Sequence, residues 1–272
     1  MNPEASVALT ACGAIVAVSV VISSLETLRS WRDYAPGGLF DGRLVSERRL
    51  LLRSSLARLL AGWLFNPEGV RALALLRLIC GITLLAPGVP IRVRGVSAAG
   101  AFLVGALLSF RRRYAGDGSD HMTQVVLGGV SVGLLATSSS LIAPGAAIFI
   151  AAQACLAYLT SGIAKLISPL WRSGAAPAQI ANMATFGHRA AARWLAKHPG
   201  YSRLIAGAVI AGECAFPLVL VAPSWLMVVI LAWTVSFHLG CALMMGFNTF
   251  FWSFVATYPA ILFVRELIRA GG

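Results

Sequence analysis

Few side chains in this sequence can carry chemistry, and most of those sit inside apolar runs. Glu26, Arg77, Lys165, Glu213 and His238 fall within hydrophobic segments, while Asp117, Asp120 and His121 stand at the edge of one. An ionisable group at membrane depth is costly, so each is a first candidate for function. Lys165 lies in GIAKLISPLW, residues 162–171, near the end of its apolar run. Its ammonium can snorkel to lipid headgroups, or the amine can serve as a general base in an apolar pocket. Glu213, in AGECAFPL, has apolar neighbours on both sides and needs a partner, for which Lys165, His238 and Arg77 are the choices. The plainer reading is a polar contact between two helices. His238, in SFHLG, either relays a proton or bonds a bound headgroup, or packs between helices as a lone histidine.

The run RRRYAGDGSDH, residues 111–121, brings Arg113, Asp117, Asp120 and His121 together and could hold a phosphate or a metal. A basic cytoplasmic cluster followed by a Gly-Asp turn and an aspartate at a helix start accounts for the same residues. The repeated aspartate motifs of membrane phospholipid transferases and prenyltransferases do not recur. Neither an HExxH pair nor a Walker loop is present. None of the five cysteines, Cys12, Cys80, Cys155, Cys214 and Cys241, forms a CxxC pair, so they read as buried apolar thiols.

The elements that must position these residues follow from composition. Of 272 residues, 58% are hydrophobic and only 12% charged, and the mean hydropathy is +0.80. That balance predicts an all-α, polytopic membrane bundle, because lipid cannot satisfy the backbone of open sheets or irregular chain. About eight spans are expected, at Val7–Leu28, Val70–Ala86, Gly95–Phe110, Met122–Thr137, Ala143–Ile167, Leu204–Val221, Ser224–Met244 and Asn248–Val264. Pro87, Pro90, Pro144, Pro223 and Gly246 mark helix ends. Residues 1–66 are read as an N-terminal anchor with a basic loop, 67–265 as the main bundle and 266–272 as a short tail. Residues 1–10 lack the Lys or Arg of a cleavable signal, so Val7–Leu25 is read as a retained anchor.

A net charge of +12 could suggest nucleic acid, but the basic residues flank apolar runs, and the lipid bilayer is the expected partner. Residues 29–58 carry seven basic residues and 172–203 carry five. Placing those loops in the cytoplasm puts the N-terminus outside, with Arg92 and Arg94 dissenting. Leu52, Leu56, Leu59, Leu60 and Trp63 recur at helical spacing and suggest a basic interfacial helix, as does the composition of 171–201.

In order, QACLAYLTSGIAKLISPLW (153–171), AGECAFPL and FHLGCALMMGFNTFFWSFVATYP (237–259), with RRRYAGDGSD before them, resemble the membrane domain of vitamin K-dependent gamma-carboxylases. They resemble still more the compact bacterial HTTM (horizontally transferred transmembrane) proteins that share it. The resemblance covers roughly residues 67–259. It implies that Lys165 is the base that deprotonates a reduced quinone, with Glu213 and His238 as its catalytic companions. Gly162, Trp171, Phe237 and Asn248 would contact that cofactor. The carboxylases carry a large extramembrane domain to hold protein substrates, and this sequence ends soon after its last apolar run. Among the small relatives, one group resembles a factor that matures a sporulation-delaying peptide toxin. That implies a bacterial inner-membrane enzyme or maturation factor acting on a peptide or lipid, with a small secreted peptide and a companion maturation protein as partners. A non-catalytic partner or immunity protein for a membrane-active peptide is the first alternative. A small-solute transporter, which would usually show inverted repeats that are not apparent here, is the second.

Overall fold

The computed structural model of the chain describes residues 2–35, 38, 66–111, 118–136 and 140–271, and every regular element among them is helical. The long helices begin where the sequence supplies a cap. In α1 (Pro3–Arg29), Asn2 accepts from the Ala5 amide and Pro3 occupies the first turn, where its missing N–H costs nothing. Helix α2 (Pro67–Leu85) repeats the device with Asn66 and Pro67. Then come α3 (Ile91–Arg111), α4 (Gly118–Leu135) and α5 (Ile142–Ile167). Three short helices follow: α6 (Pro169–Arg172), α7 (Ala176–Ala181) and α8 (Arg189–Lys197). Helix α9 (Pro199–Ala215) tightens into a 3-10 turn over Phe216–Leu220, where Pro217 interrupts the regular ladder. Helix α10 (Ser224–Met245) stops at Gly246, whose φ of 75° is the left-handed cap that glycine adopts without a Cβ penalty.

The stretch expected as one last span, Asn248–Val264, is two helices, α11 (Asn248–Val255) and α12 (Tyr258–Gly271). The break falls just before Pro259, and the Thr257 hydroxyl donates to the Phe254 carbonyl there. Helix α12 also runs on through residues 266–271, which the sequence reading sets apart as a tail.

Among the described residues, six stretches are long and apolar enough to cross a membrane: Pro3–Arg29, Ile91–Ser109, Ile142–Ile167, Pro199–Leu220, Ser224–Met245 and Asn248–Gly271. The expected spans Val70–Ala86 and Met122–Thr137 correspond to α2 and α4, which are not among the six. Glu68, Arg71 and Arg77 interrupt the first, and Asp120, His121 and Gln124 open the second.

Helix α1 is the centre of the bundle and packs against α2, α4, α5, α11 and α12. Its Ala5, Leu9, Cys12, Val16, Ala17 and Val20 are fully buried. The segment read from sequence as an anchor is therefore part of the common core. Polar contacts fasten it: Ser19, Thr123 and Ser253, from α1, α4 and α11, bond one another at 2.7–3.3 Å. Such hydroxyl contacts hold helices together where lipid supplies no hydrophobic drive.

Two arginines complete helix ends. Arg94 donates to the carbonyls of Leu84, Ala86 and Val89 at the end of α2, so the side chain that dissented from the charge pattern is a cap. Arg265 is 1% exposed and donates to the carbonyls of Val219 and Ala222 at the end of the 3-10 turn. The expected helix around Leu52–Trp63 lies outside the described residues. In the second basic loop, α8 is amphipathic, burying Ala192 and Leu195 while Arg193 and Lys197 face out.

Candidate functional site

Helical periodicity puts the chemistry on facing surfaces. Tyr158, Ser161 and Lys165 share one face of α5, Ile205, Val209 and Glu213 one face of α9, and His238 and Cys241 one face of α10. With Phe250 and Phe254 of α11, they line a cavity of about 930 Å³, large for a small-molecule site. Most of the remaining wall is apolar, and the short helices α7 and α8 contribute Ile180, Ala191 and Leu195.

Lys165 turns inward. Its Nζ donates to Glu213 Oε2 at 2.7 Å and Oε1 at 3.0 Å, and to the Ser161 hydroxyl one turn back on α5. Ser161 in turn donates to Glu213 Oε1 at 3.3 Å. The carboxylate side chain is 5% exposed and the lysine 19%, and the Trp171 ring lies 5.2 Å from the ammonium. Removing one member of so buried a pair would leave the other uncompensated, at a cost of roughly 3–5 kcal/mol. The approach of α5 to α9 that makes the pair runs over Gly162, where a Cβ would lie 2.8 Å from the Cys214 backbone nitrogen.

A second polar point faces the same cavity. The Tyr158 hydroxyl bonds His238 Nε2 at 2.6 Å. Tyr158 stacks on Phe216 at 3.8 Å, and the rings of Phe237, Phe250 and Phe254 lie 4.7–5.1 Å from the imidazole. His238 is 1% exposed. Nearby, the Tyr258 hydroxyl bonds Thr234 Oγ1 at 2.6 Å, and Thr234 donates to the carbonyls of Ile230 and Leu231.

The other sequence candidates divide. Trp171 and Phe237 line the cavity beside the two polar points. Gly162 is buried against α9 and serves helix approach. Asn248 opens α11 on an exposed position and does not line the cavity. His121 is exposed but lines the cavity, and Asp120 sits beside it in the first turn of α4. Arg113 and Asp117 lie outside the described residues. Among the candidate partners for Glu213, Arg77 is elsewhere, donating to the Ser23 hydroxyl between α2 and α1. Glu26 is exposed near the end of α1. Sequence reasoning missed Tyr158 and Ser161, although their spacing of seven and four residues before Lys165 puts them on its face.

In comparisons with known proteins, no family model, curated protein or solved structure matches this chain. Chemical inference therefore rests on the site itself. It offers a buried amine–carboxylate pair that can exchange a proton as a unit and an imidazole held by a phenol, both opening on an aromatic-walled space.

Proposed function

We propose that this chain is a membrane-embedded enzyme or maturation factor that takes an amphipathic molecule into its cavity and exchanges a proton with it through the Lys165–Glu213 pair. The observation that carries this reading is that Lys165, Glu213 and His238, drawn from three separate helices, line one largely apolar chamber. Ion pairs that only join helices have no need of a cavity of that volume beside them. In this reading α2 and α4 join the six apolar stretches to give eight spans, with the N-terminus outside the cytoplasm, the basic loops inside and α8 at the membrane surface.

A reduced quinone fits the lining. Phe237, Phe250, Phe254 and Trp171 offer faces to a flat ring, and the cavity holds one charged pair and one imidazole for polar substituents. When bound, it would supply acidic hydroxyls and a pair of electrons. For that exchange the pair must first release the proton that Nζ carries in the ion pair; the free amine then accepts one from the bound hydroxyl and becomes again the ammonium that Glu213 and Ser161 hold. Glu213 fixes the direction of that amine and balances its charge, beside a largely apolar wall. The order of lysine, acid and Phe-His that resembles the HTTM and gamma-carboxylase pattern agrees with this division of roles. A small secreted peptide or a lipid is the class of molecule acted on.

The test is the intact mass of secreted peptides and extracted lipids from cells expressing the wild type, Lys165→Ala or Glu213→Gln at equal levels. A product whose mass shift requires both residues is expected. Full complementation by Lys165→Met would overturn the enzyme reading in favour of a non-catalytic partner.

A further inference from the structure

Residues 176–198 form a strap across one end of the chamber. At its base the Ser202 hydroxyl donates to the Gly174 carbonyl at 2.6 Å, and Gly174, with a φ of 80°, lies close against the Arg203 backbone. Helices α7 and α8 leave that base and pack on each other. In the turn between them Phe186 meets Phe247, at the corner joining α10 to α11, with ring centroids 4.9 Å apart. The strap is thus fastened on the α9 side by a hydrogen bond and on the far side by an aromatic contact.

Helix α8 has two working sides. His188 at its N-cap, Ala191 and Leu195 line the chamber, while Arg189, Arg193 and Lys197, each four residues from the next, are exposed on another face. Arg172 and Arg203 are exposed near the base. Residues 169–212 contain no Asp or Glu, and among the described residues none of these five cations has an acidic partner. Trp194, His198 and Tyr201 cluster beside them, with ring centroids 4.9–6.1 Å apart, and all three are exposed. Uncompensated cations call for an anionic occupant. The exposed Trp and Tyr, placed where α9 begins its apolar run, favour a lipid surface over an acidic protein.

We infer that the outer face of α8 binds the phosphates of anionic phospholipids, and that this binding holds the α7–α8 strap shut, so that anionic lipid controls access to the chamber from this end. This assignment rests on the chamber and membrane setting proposed above, but not on proton exchange by Lys165.

Hydrogen exchange of the full chain in nanodiscs of phosphatidylcholine, with and without phosphatidylglycerol, tests the binding. Each basic residue at an anionic surface contributes about fivefold, so phosphatidylglycerol should slow exchange in α8 about tenfold or more. Arg193→Gln combined with Lys197→Gln should remove most of that effect, and high salt should weaken it in the wild type. Inorganic phosphate added to phosphatidylcholine discs should not reproduce it, which separates a lipid surface from a free anion. Closure is read at Cys241, on the chamber wall, as its rate of alkylation by iodoacetamide followed by peptide mass. Phosphatidylglycerol should slow that rate, and Phe186→Ala, which frees the tip of the strap, should raise it in both kinds of disc. Exchange in α8 that is indifferent to phosphatidylglycerol, slowed equally in the double variant, or slowed equally by phosphate would overturn the lipid site. Alkylation of Cys241 that ignores the lipid or Phe186→Ala would overturn the closure. Neither readout involves a secreted product, so both can succeed where the mass measurement on Lys165 fails, and the reverse.

Discussion

The backbone nitrogen of Cys214 lies so near Gly162 that a Cβ built on the glycine would stand 2.8 Å from it, with Cys214 Sγ equally close. This contact brings α5 and α9 together one turn from Lys165 and next to Glu213, and so sets the span of the ion pair. Gly162→Leu should force the helices apart, costing about 1–3 kcal/mol. Gly240 also lies on a helix lining the cavity but has nothing within 4 Å of an added Cβ. Gly240→Ala should be close to neutral. Thermal unfolding in the same detergent distinguishes the two, and equal effects would contradict the packing described.

Arg265 makes a second prediction. Its guanidinium is enclosed and satisfies two carbonyls at the end of the 3-10 turn after α9. Arg265→Leu should lower stability by about 2 kcal/mol or more by stranding those acceptors. Arg269, exposed and 3.9 Å from Glu266, should tolerate the same change within about 0.5 kcal/mol. Chemical unfolding of both variants checks the order.

The hydroxyl cluster of Ser19, Thr123 and Ser253 should be worth about 1 kcal/mol to the bundle. Ser253→Ala, Thr123→Val and the double variant form a cycle in which the two losses should not add, because the 2.7 Å bond between these residues is removed by either change. Additive losses would mean the contact contributes nothing.

The membrane class and the position of most helices were legible because apolar run length and proline caps are local signals. Lys165, Glu213 and His238, which line the candidate site, are conspicuous in the sequence because their surroundings are apolar. Their pairing is not. Glu213 had Lys165, His238 and Arg77 as partners of comparable promise, and only the packing of α5 on α9 at Gly162 selects the first. Tyr158 passed unnoticed because a tyrosine in an apolar run signals nothing until a neighbouring helix brings His238 to it. The capping role of Arg94 is not legible in sequence, since the carbonyls it caps belong to the end of another helix. The break after Val255 was hidden because α11 and α12 together are as apolar as one span.

In the proposed function the Lys165–Glu213 pair works in the cavity and does more than join two helices. Lys165→Met alone should destabilise the protein and abolish product, since Glu213 is left charged and unpaired. Lys165→Met combined with Glu213→Met restores an uncharged contact. The double variant should regain most of the thermal stability lost by the single one yet form no mass-shifted product. Product formed by the double variant at wild-type levels would contradict the proposed role.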